Sequence, residues 1–317
     1  MKLIFMGTPD FAVSSLAALV EAGHEVLLAV TQPDKPKGRG HKMAPPPVKE
    51  YAQSKGIEVY QPTSMRTQEV FDRLASYGAQ VFIVAAYGKI LPQTILDLPQ
   101  YGCINVHASL LPKYRGAAPI QWSIANGETV TGVTTMQMDA GLDTGDMLLK
   151  TEVAILPEDT GETLHDKLAA AGARVLLETL DRLEAGTLSR EKQDDSLSCY
   201  APMLNKEVSR IDFSKTAAEI VNLVRAMNPY PTAHTLYQGR RMRVFCAEAE
   251  TYAAKGRMCG EIIEVSDNGI LVRCADGAVR ITEVQFDGKK RMPVREYLKG
   301  NRMESGEILG AQQQTEG

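Results

Sequence analysis

Hydrophobic and polar positions fall into blocks whose period changes along the chain. Residues 2–6 are a short apolar run, Gly7 turns the chain, Thr8 is placed to cap, Pro9 suits a first helical position, and 11–22 carry a helical pattern that Gly23 ends. This strand, tight turn and helix recur. Residues 25–30 read as a strand, 48–55 as a helix, 57–60 as a short strand, and 64–77 as a helix closed by Gly78. The continuous β-rich run 81–85 predicts a strand covered on both faces. A helix at 93–96, strands at 103–107 and 130–138, a helix at 119–126 and a long helix at 160–185, with Asp159 as its cap, continue the pattern.

Strands alternating with helices predict an α/β fold: a doubly wound, mostly parallel, Rossmann-like sheet with right-handed crossovers. From 187 the chain turns polar and irregular. A helix at 217–227 follows, stopped by Asn228-Pro229-Tyr230-Pro231. Short alternating segments at 235–237, 242–247, 260–265, 270–274 and 278–284, separated by Gly239, Asn268-Gly269 and Asp276-Gly277, predict a small OB-like β-barrel. The expected organisation is a catalytic domain over 1–186, a linker over 187–206, a barrel over 207–310 and a disordered tail over 311–317.

A length of 317 residues suits two such domains, and 44% hydrophobic with 23% charged residues is an ordinary globular mix. The longest apolar uncharged stretch, 81–88, is far shorter than the roughly 20 residues a membrane span needs. Gly7-Thr8-Pro9-Asp10 follows the first six residues too soon for a secretory signal, so a cytoplasmic protein is expected; it is also expected to be a monomer. Five widely spaced cysteines without a Cys-x-x-Cys pair suggest reduced thiols.

Charge is uneven. Residues 206–317 hold 17 Lys and Arg against 15 Asp and Glu, whereas 1–205 hold 18 against 24. Inside the acidic part, 35–49 carry Lys35, Lys37, Arg39, Lys42 and Lys49 with no acid, broken by glycine and four prolines. Such a stretch can hardly be helix or central strand; it is a solvated connection or an arm that follows phosphates.

No Gly-x-Gly-x-x-Gly or Gly-x-x-x-x-Gly-Lys motif supports a dinucleotide or a phosphate cradle. Asn105 and His107, two apart on a predicted strand, share a face and set an amide donor beside a titratable imidazole at a carboxyl end of the sheet. As an isolated pair they fit a backbone-satisfying Asn at a strand end and a buried structural His better than a reacting pair. Ser109 lacks the Gly-x-Ser-x-Gly context and is read as shaping its loop. The acid-rich loop 136–146 fails as a calcium site, but one of its carboxylates can orient His107.

The motifs INVHASLLP at 104–112, YRGAAPI at 114–120 and MQMDAGLDTGD at 136–146 resemble the formyltetrahydrofolate-dependent formyltransferases. FMGTPDFA at 5–12, TQPDKPKGRG at 31–40, AYGKILP at 86–92 and RAMNPYP at 225–231 extend the resemblance over about 1–310, towards the members that act on tRNA. Ala108 stands where many relatives have glycine.

The resemblance implies an enzyme that moves the formyl group of 10-formyltetrahydrofolate to methionyl initiator tRNA for translation initiation, without a metal. It implies Asn105, His107 and Asp143 as catalytic residues. Tyr87, Gly88, Ile90, Leu91, Ser109, Leu110, Leu111, Pro112 and Asp139 would line the folate pocket, and Phe11 would lie by the methionyl group. Lys35, Lys37, Arg39 and Lys42 become contacts to the tRNA acceptor end, and Arg240, Arg241, Arg243, Lys289, Lys290 and Arg291 contacts to its backbone. Two other readings are a folate enzyme acting on a small amine and an RNA-binding module without catalysis. The first would not need both a basic loop and a barrel; the second has no use for Asn105, His107 and Asp143 together.

Overall fold

A computed structural model describes residues 1–37, 42–253 and 256–310; Arg39 and the expected tail 311–317 lie outside the described residues. Two compact units result. The first comprises Met1–Pro119, Val130–Ala154 and His165–Ala201, the second Ile120–Thr129, Ile155–Leu164 and the chain from Pro202. The division therefore does not follow one cut in the sequence.

Through Ala201 the elements are β1 (Lys2–Gly7), α1 (Asp10–Glu21), β2 (Glu25–Val30), β3 (Lys35–Lys37), β4 (Lys42–Ala44), α2 (Pro47–Ser54), β5 (Val59–Tyr60), α3 (Gln68–Ser76), β6 (Val81–Ala85), α4 (Gln93–Leu96), β7 (Cys103–His107), β8 (Arg115–Gly116), α5 (Pro119–Ala125), β9 (Val130–Gln137), β10 (Met147–Ala154), α6 (Gly161–Glu184) and β11 (Tyr200–Ala201). The main sheet of the first unit runs β10-β9-β7-β6-β1-β2-β5. Its strands from β5 to β7 are parallel, while β9 runs opposite to them and pairs in antiparallel fashion with β7 on one side and β10 on the other. Strand order reverses between β1 and β6, and open α/β sheets bind ligands at such a point, beyond the carboxyl ends of the strands.

The loops after β1 and β6 meet there, because Thr8 Oγ1 and Gln32 Nε2 each donate to the Tyr87 carbonyl at 3.0 Å. Thr8 thus does not cap α1, and Pro9 stands one residue before the helix without a side-chain cap. Similarly α3 starts at Gln68 and not at 64, because Thr67 is the residue whose hydroxyl accepts from Val70 N. Of the basic stretch 35–49, β3 and β4 pair only with each other and α2 begins at Pro47. Lys49 is tied back at the foot of this hairpin, its Nζ 2.9 Å from both Asp34 oxygens. That bond, with a second from Gln61, holds the Asp34 carboxyl below its usual range.

One face of the sheet packs Ile4, Met6, Phe82, Val84 and Cys103 against Val70 and Leu74 of α3 and Ile95 and Leu96 of α4. The other face takes α6. Gly172 lets that helix approach, since a Cβ there would stand 3.0 Å from Val106 Cγ1. With Val106 turned to α6, strand alternation sends Asn105 and His107 to the opposite face.

In the second unit, α7 (Ala217–Ala226) starts with a capping box between Thr216 and Glu219. Then follow β12 (His234–Tyr237), β13 (Arg240–Glu250), β14 (Ile262–Ser266), β15 (Gly269–Arg273), β16 (Ala278–Phe286), β17 (Met292–Pro293) and α8 (Val294–Leu298). The antiparallel order is β12-β13-β16-β15-β14. The last described residues bridge its two edges: Leu309 N donates to Gly260 O at 2.8 Å beside β14, and Gly310 N to Leu236 O at 2.7 Å on β12. The sheet closes into a small barrel around Met242, Val244, Val272, Ile281 and Phe286, all buried.

Candidate active site

The site forms at the carboxyl end of β7, which pairs with β6 in parallel and with β9 in antiparallel fashion. β9 ends at Gln137 opposite Ile104, near the amino end of β7, so the acid-rich loop that follows has to fold back along β7 to bring Asp143 to His107. His107 is 6% exposed. Its Nε2 lies 3.0 Å from the Tyr114 carbonyl. A carbonyl only accepts, so Nε2 carries hydrogen and Nδ1 is the ring nitrogen on the other side. Asp143 Oδ2 stands 3.7 Å from that Nδ1.

Asp143 is held on both sides. Its Oδ2 accepts from the Gly116 backbone N–H at 2.8 Å, and its backbone has φ of +54°, a conformation that Asp and Asn tolerate better than other side chains. Two residues on, Gly145 is required by close packing, since a Cβ there would stand 1.8 Å from Gln137 O. Asn105 is half-buried, and among the described residues its carboxamide has no hydrogen-bond partner. On the face it shares with His107, that half-buried amide is accessible and able to donate.

Leu111 N donates to Thr134 Oγ1 at 3.1 Å, Thr134 Oγ1 donates to Ser109 O at 2.7 Å, and Ser109 Oγ donates to Lys113 O at 2.6 Å. Ser109 therefore shapes the loop that presents the Tyr114 carbonyl. Leu111 packs with Met136 and Met147. Leu110 and Pro112 are half-buried between these fixed residues. Asp139 is exposed and accepts from Gly141 N at 3.0 Å and Thr144 Oγ1 at 2.8 Å.

Around β6, Tyr87 and Leu91 belong to the hydrophobic core, and the Tyr87 hydroxyl donates to Met65 Sδ. Burial pushes that phenol above its ordinary pKa. Their side chains pack the core, so what this stretch leaves exposed is Ala86, Gly88 and Ile90, the last 74% exposed. Phe11 is buried in α1 and meets the His165 ring edge-on at 5.7 Å.

Of the basic residues, Lys35 is exposed on the hairpin; Lys37 and Lys42 face each other in its backbone register. In the barrel, the Arg240 guanidinium lies 5.2 Å from the Phe286 ring centre, Arg243 pairs with Asp287 at 3.0 Å, and Arg291 pairs with Glu283 at 2.6 Å. Arg241 lies 3.2 Å from His234 Nδ1. Burial, then Arg241, Arg210 and Arg243, push the His234 imidazole below its ordinary pKa. Lys289 and Lys290 are exposed. Among the described residues no cluster of His, Cys, Asp and Glu could hold a metal ion, and no helix is long and apolar enough to cross a membrane.

Sequence reasoning missed the Tyr114 carbonyl, the Gly116 amide and the Thr134 hydroxyl. The first two lie in a quoted motif, yet backbone groups leave no signal in residue identity.

The family described as "Formyl transferase" matches residues 1–180, and "Formyl transferase, C-terminal domain" matches 203–302. The chain is 54% identical over 311 residues to the methionyl-tRNA formyltransferase of Ruminiclostridium cellulolyticum, covering 98% of this chain and 100% of that one. It is 52% identical over 310 residues to that of Acetivibrio thermocellus, again covering 98% and 100%. Among solved structures, an N-formyltransferase from Helicobacter canadensis in complex with folinic acid and dTDP-3-aminofucose shares the fold, with a TM-score of 0.66, 21% identity and coverage of 89% of this chain and 98% of that one. HypX from Aquifex aeolicus in complex with tetrahydrofolic acid has a TM-score of 0.64 at 18% identity, covering 96% of this chain and 50% of that one. The chain belongs to the formyl transferase family, in its branch of methionyl-tRNA formyltransferases.

Proposed function

We propose that this protein transfers the formyl group of 10-formyltetrahydrofolate to the α-amino group of methionyl initiator tRNA. The observation that carries the reading is the Asn105, His107 and Asp143 arrangement: Asn105 and His107 two apart on one strand face, with the imidazole Nδ1 3.7 Å from the Asp143 carboxylate. The amine nitrogen bonds to the formyl carbon, the bond from that carbon to the folate nitrogen breaks, one amine proton leaves and the folate nitrogen takes one. No oxidant or metal is needed for that balance.

Asn105 Nδ2 donates to the formyl oxygen as negative charge gathers there, a role worth about 3 to 4 kcal/mol for one such donor in acyl transfer. His107 is fixed by its Nε2 bond to Tyr114 O and uses Nδ1 to move the proton. Asp143 stabilises the positive charge that the imidazole gains. The folate would lie along 86–91, 109–112 and 139–143, where the half-buried Asn105 amide and the exposed Ile90 supply one polar and one apolar contact. The methionyl group would approach Phe11. Lys35, Lys37, Arg39 and Lys42 would meet the acceptor end, and Arg240, Arg241, Arg243, Lys289, Lys290 and Arg291 the tRNA backbone. The domain roles follow: chemistry in the first unit, tRNA tracking in the barrel, with the protein acting in the cytoplasm as a monomer.

The test is formylation of methionyl-tRNA by the purified chain with Asn105→Ala as comparison. Transfer by the wild type with a loss of roughly 100-fold or more in the variant supports the reading; an Asn105→Ala enzyme of full rate removes its basis.

A further inference from the structure

The stretch between the two family matches, 181–202, lies in neither of them, and from 191 to 200 its residues are exposed except Gln193 and Ser198. Gln193 turns inward and uses its whole carboxamide. Nε2 donates to Asp143 O and to Gly145 O, each at 2.8 Å. Oε1 accepts from Arg115 Nε at 3.0 Å and from Arg115 Nη2 at 2.8 Å. Two donors and two acceptor sites are all that a glutamine side chain has.

The groups so joined belong to the reacting centre. Arg115 precedes Gly116, whose N–H holds Asp143 Oδ2 at 2.8 Å, and follows Tyr114, whose carbonyl holds His107 Nε2 at 3.0 Å. Gln193 therefore closes a ring: His107 to the segment 114–116, that segment through Arg115 to Gln193, and Gln193 to the backbone of Asp143. Asp143 needs such an anchor, because its positive φ is an unfavourable conformation that surrounding bonds must maintain. The irregular segment is itself seated: Arg115 N donates to Cys199 O at 2.9 Å, and Tyr200–Ala201 pairs in parallel with Arg115–Gly116.

We infer that Gln193 is a positioning residue for formyl transfer, fixing the backbone of Asp143 and so the distance between its carboxylate and His107. The inference rests on the reading under Proposed function. Gln193→Glu keeps the shape and the acceptors for Arg115 but puts a second acceptor against the two loop carbonyls. Gln193→Met, of similar size with neither donor nor acceptor, is the second variant should the first fail to fold.

Rates are measured on the full chain with 10-formyltetrahydrofolate and methionyl-tRNA, in the wild-type and in the Asp143→Asn background, beside thermal unfolding midpoints. The expected kcat loss is roughly tens- to 100-fold, the size that a displacement of about 1 Å produces. KM for both substrates should stay within about two-fold. In the Asp143→Asn background the same substitution should change kcat by less than about two-fold, the scatter of independent sites. Equal losses in both backgrounds would mean a general structural role and overturn the inference, as would an unchanged kcat in Gln193→Glu. A wild type that does not formylate methionyl-tRNA instead overturns the functional reading, and the inference falls with it.

Discussion

Replacing Asp143 by Asn removes a charge from the site while leaving the backbone nearly undisturbed. Position 143 has φ of +54°, which Asn occupies as readily as Asp, and the Asn carbonyl oxygen can still accept from the Gly116 amide. The loss is therefore electrostatic. A carboxylate 3.7 Å from Nδ1 stabilises a full positive charge on the ring by about 4 kcal/mol at an effective dielectric of about 20. Asp143 is 14% exposed and the ring carries only part of a charge in the transition state, which lowers the useful share to about 3 kcal/mol. At about 1.4 kcal/mol per decade, kcat should fall roughly 100-fold. Single-turnover formyl transfer at saturating substrates measures this directly, with a thermal melt to show the fold intact. A variant within about three-fold of the wild-type rate would refute the assigned role of the carboxylate.

His107→Ala should abolish transfer and leave tRNA affinity unchanged, as measured by turnover and filter binding; a fully active variant would sink the mechanism. Lys35→Ala should weaken tRNA binding and lower the slope of log affinity against log salt by somewhat less than about 1, while folate binding stays the same; an unaltered slope would return the hairpin to a solvated connection. Burial pushes the Cys103 thiol to about 12, whereas Cys199, Cys246 and Cys259 are exposed. A thiol reagent on the native protein should label those three and spare Cys103, and mass spectrometry finding Cys103 labelled would contradict the packing. The sign for stability follows: the folded pKa exceeds the unfolded one, so this contribution is full below about pH 8.5 and is lost as pH rises from there towards about 12.

What the sequence discloses depends on how far a signal reaches. The strands Glu25–Val30, Val81–Ala85 and Cys103–His107 and the helix Gln93–Leu96 follow their patterns residue for residue, because a buried face imposes its period locally. The strand Met147–Ala154 went unread. Its alternation is that of an antiparallel edge, and neither direction nor partner is written in a period. The shared face of Asn105 and His107 was legible for the same local reason. The approach of Asp143 to within 3.7 Å of His107 was not, since it arises from the loop after β9 folding back from beside Ile104 towards the carboxyl end of β7. Gln193 left no trace at all: it is one polar residue in a polar stretch, and only the fold brings its amide to Asp143, 50 positions away in the chain. Thr8 shows the opposite error, a good local cap that a longer-range acceptor, the Tyr87 carbonyl, outcompetes.

The most direct measurement is a formyl-transfer assay with 10-formyltetrahydrofolate in which methionyl initiator tRNA, free methionine and small amine acceptors are offered side by side to the purified protein. Formylation of the charged tRNA alone is the expected result. Transfer to a small amine, or no transfer to any acceptor, would contradict the proposed activity.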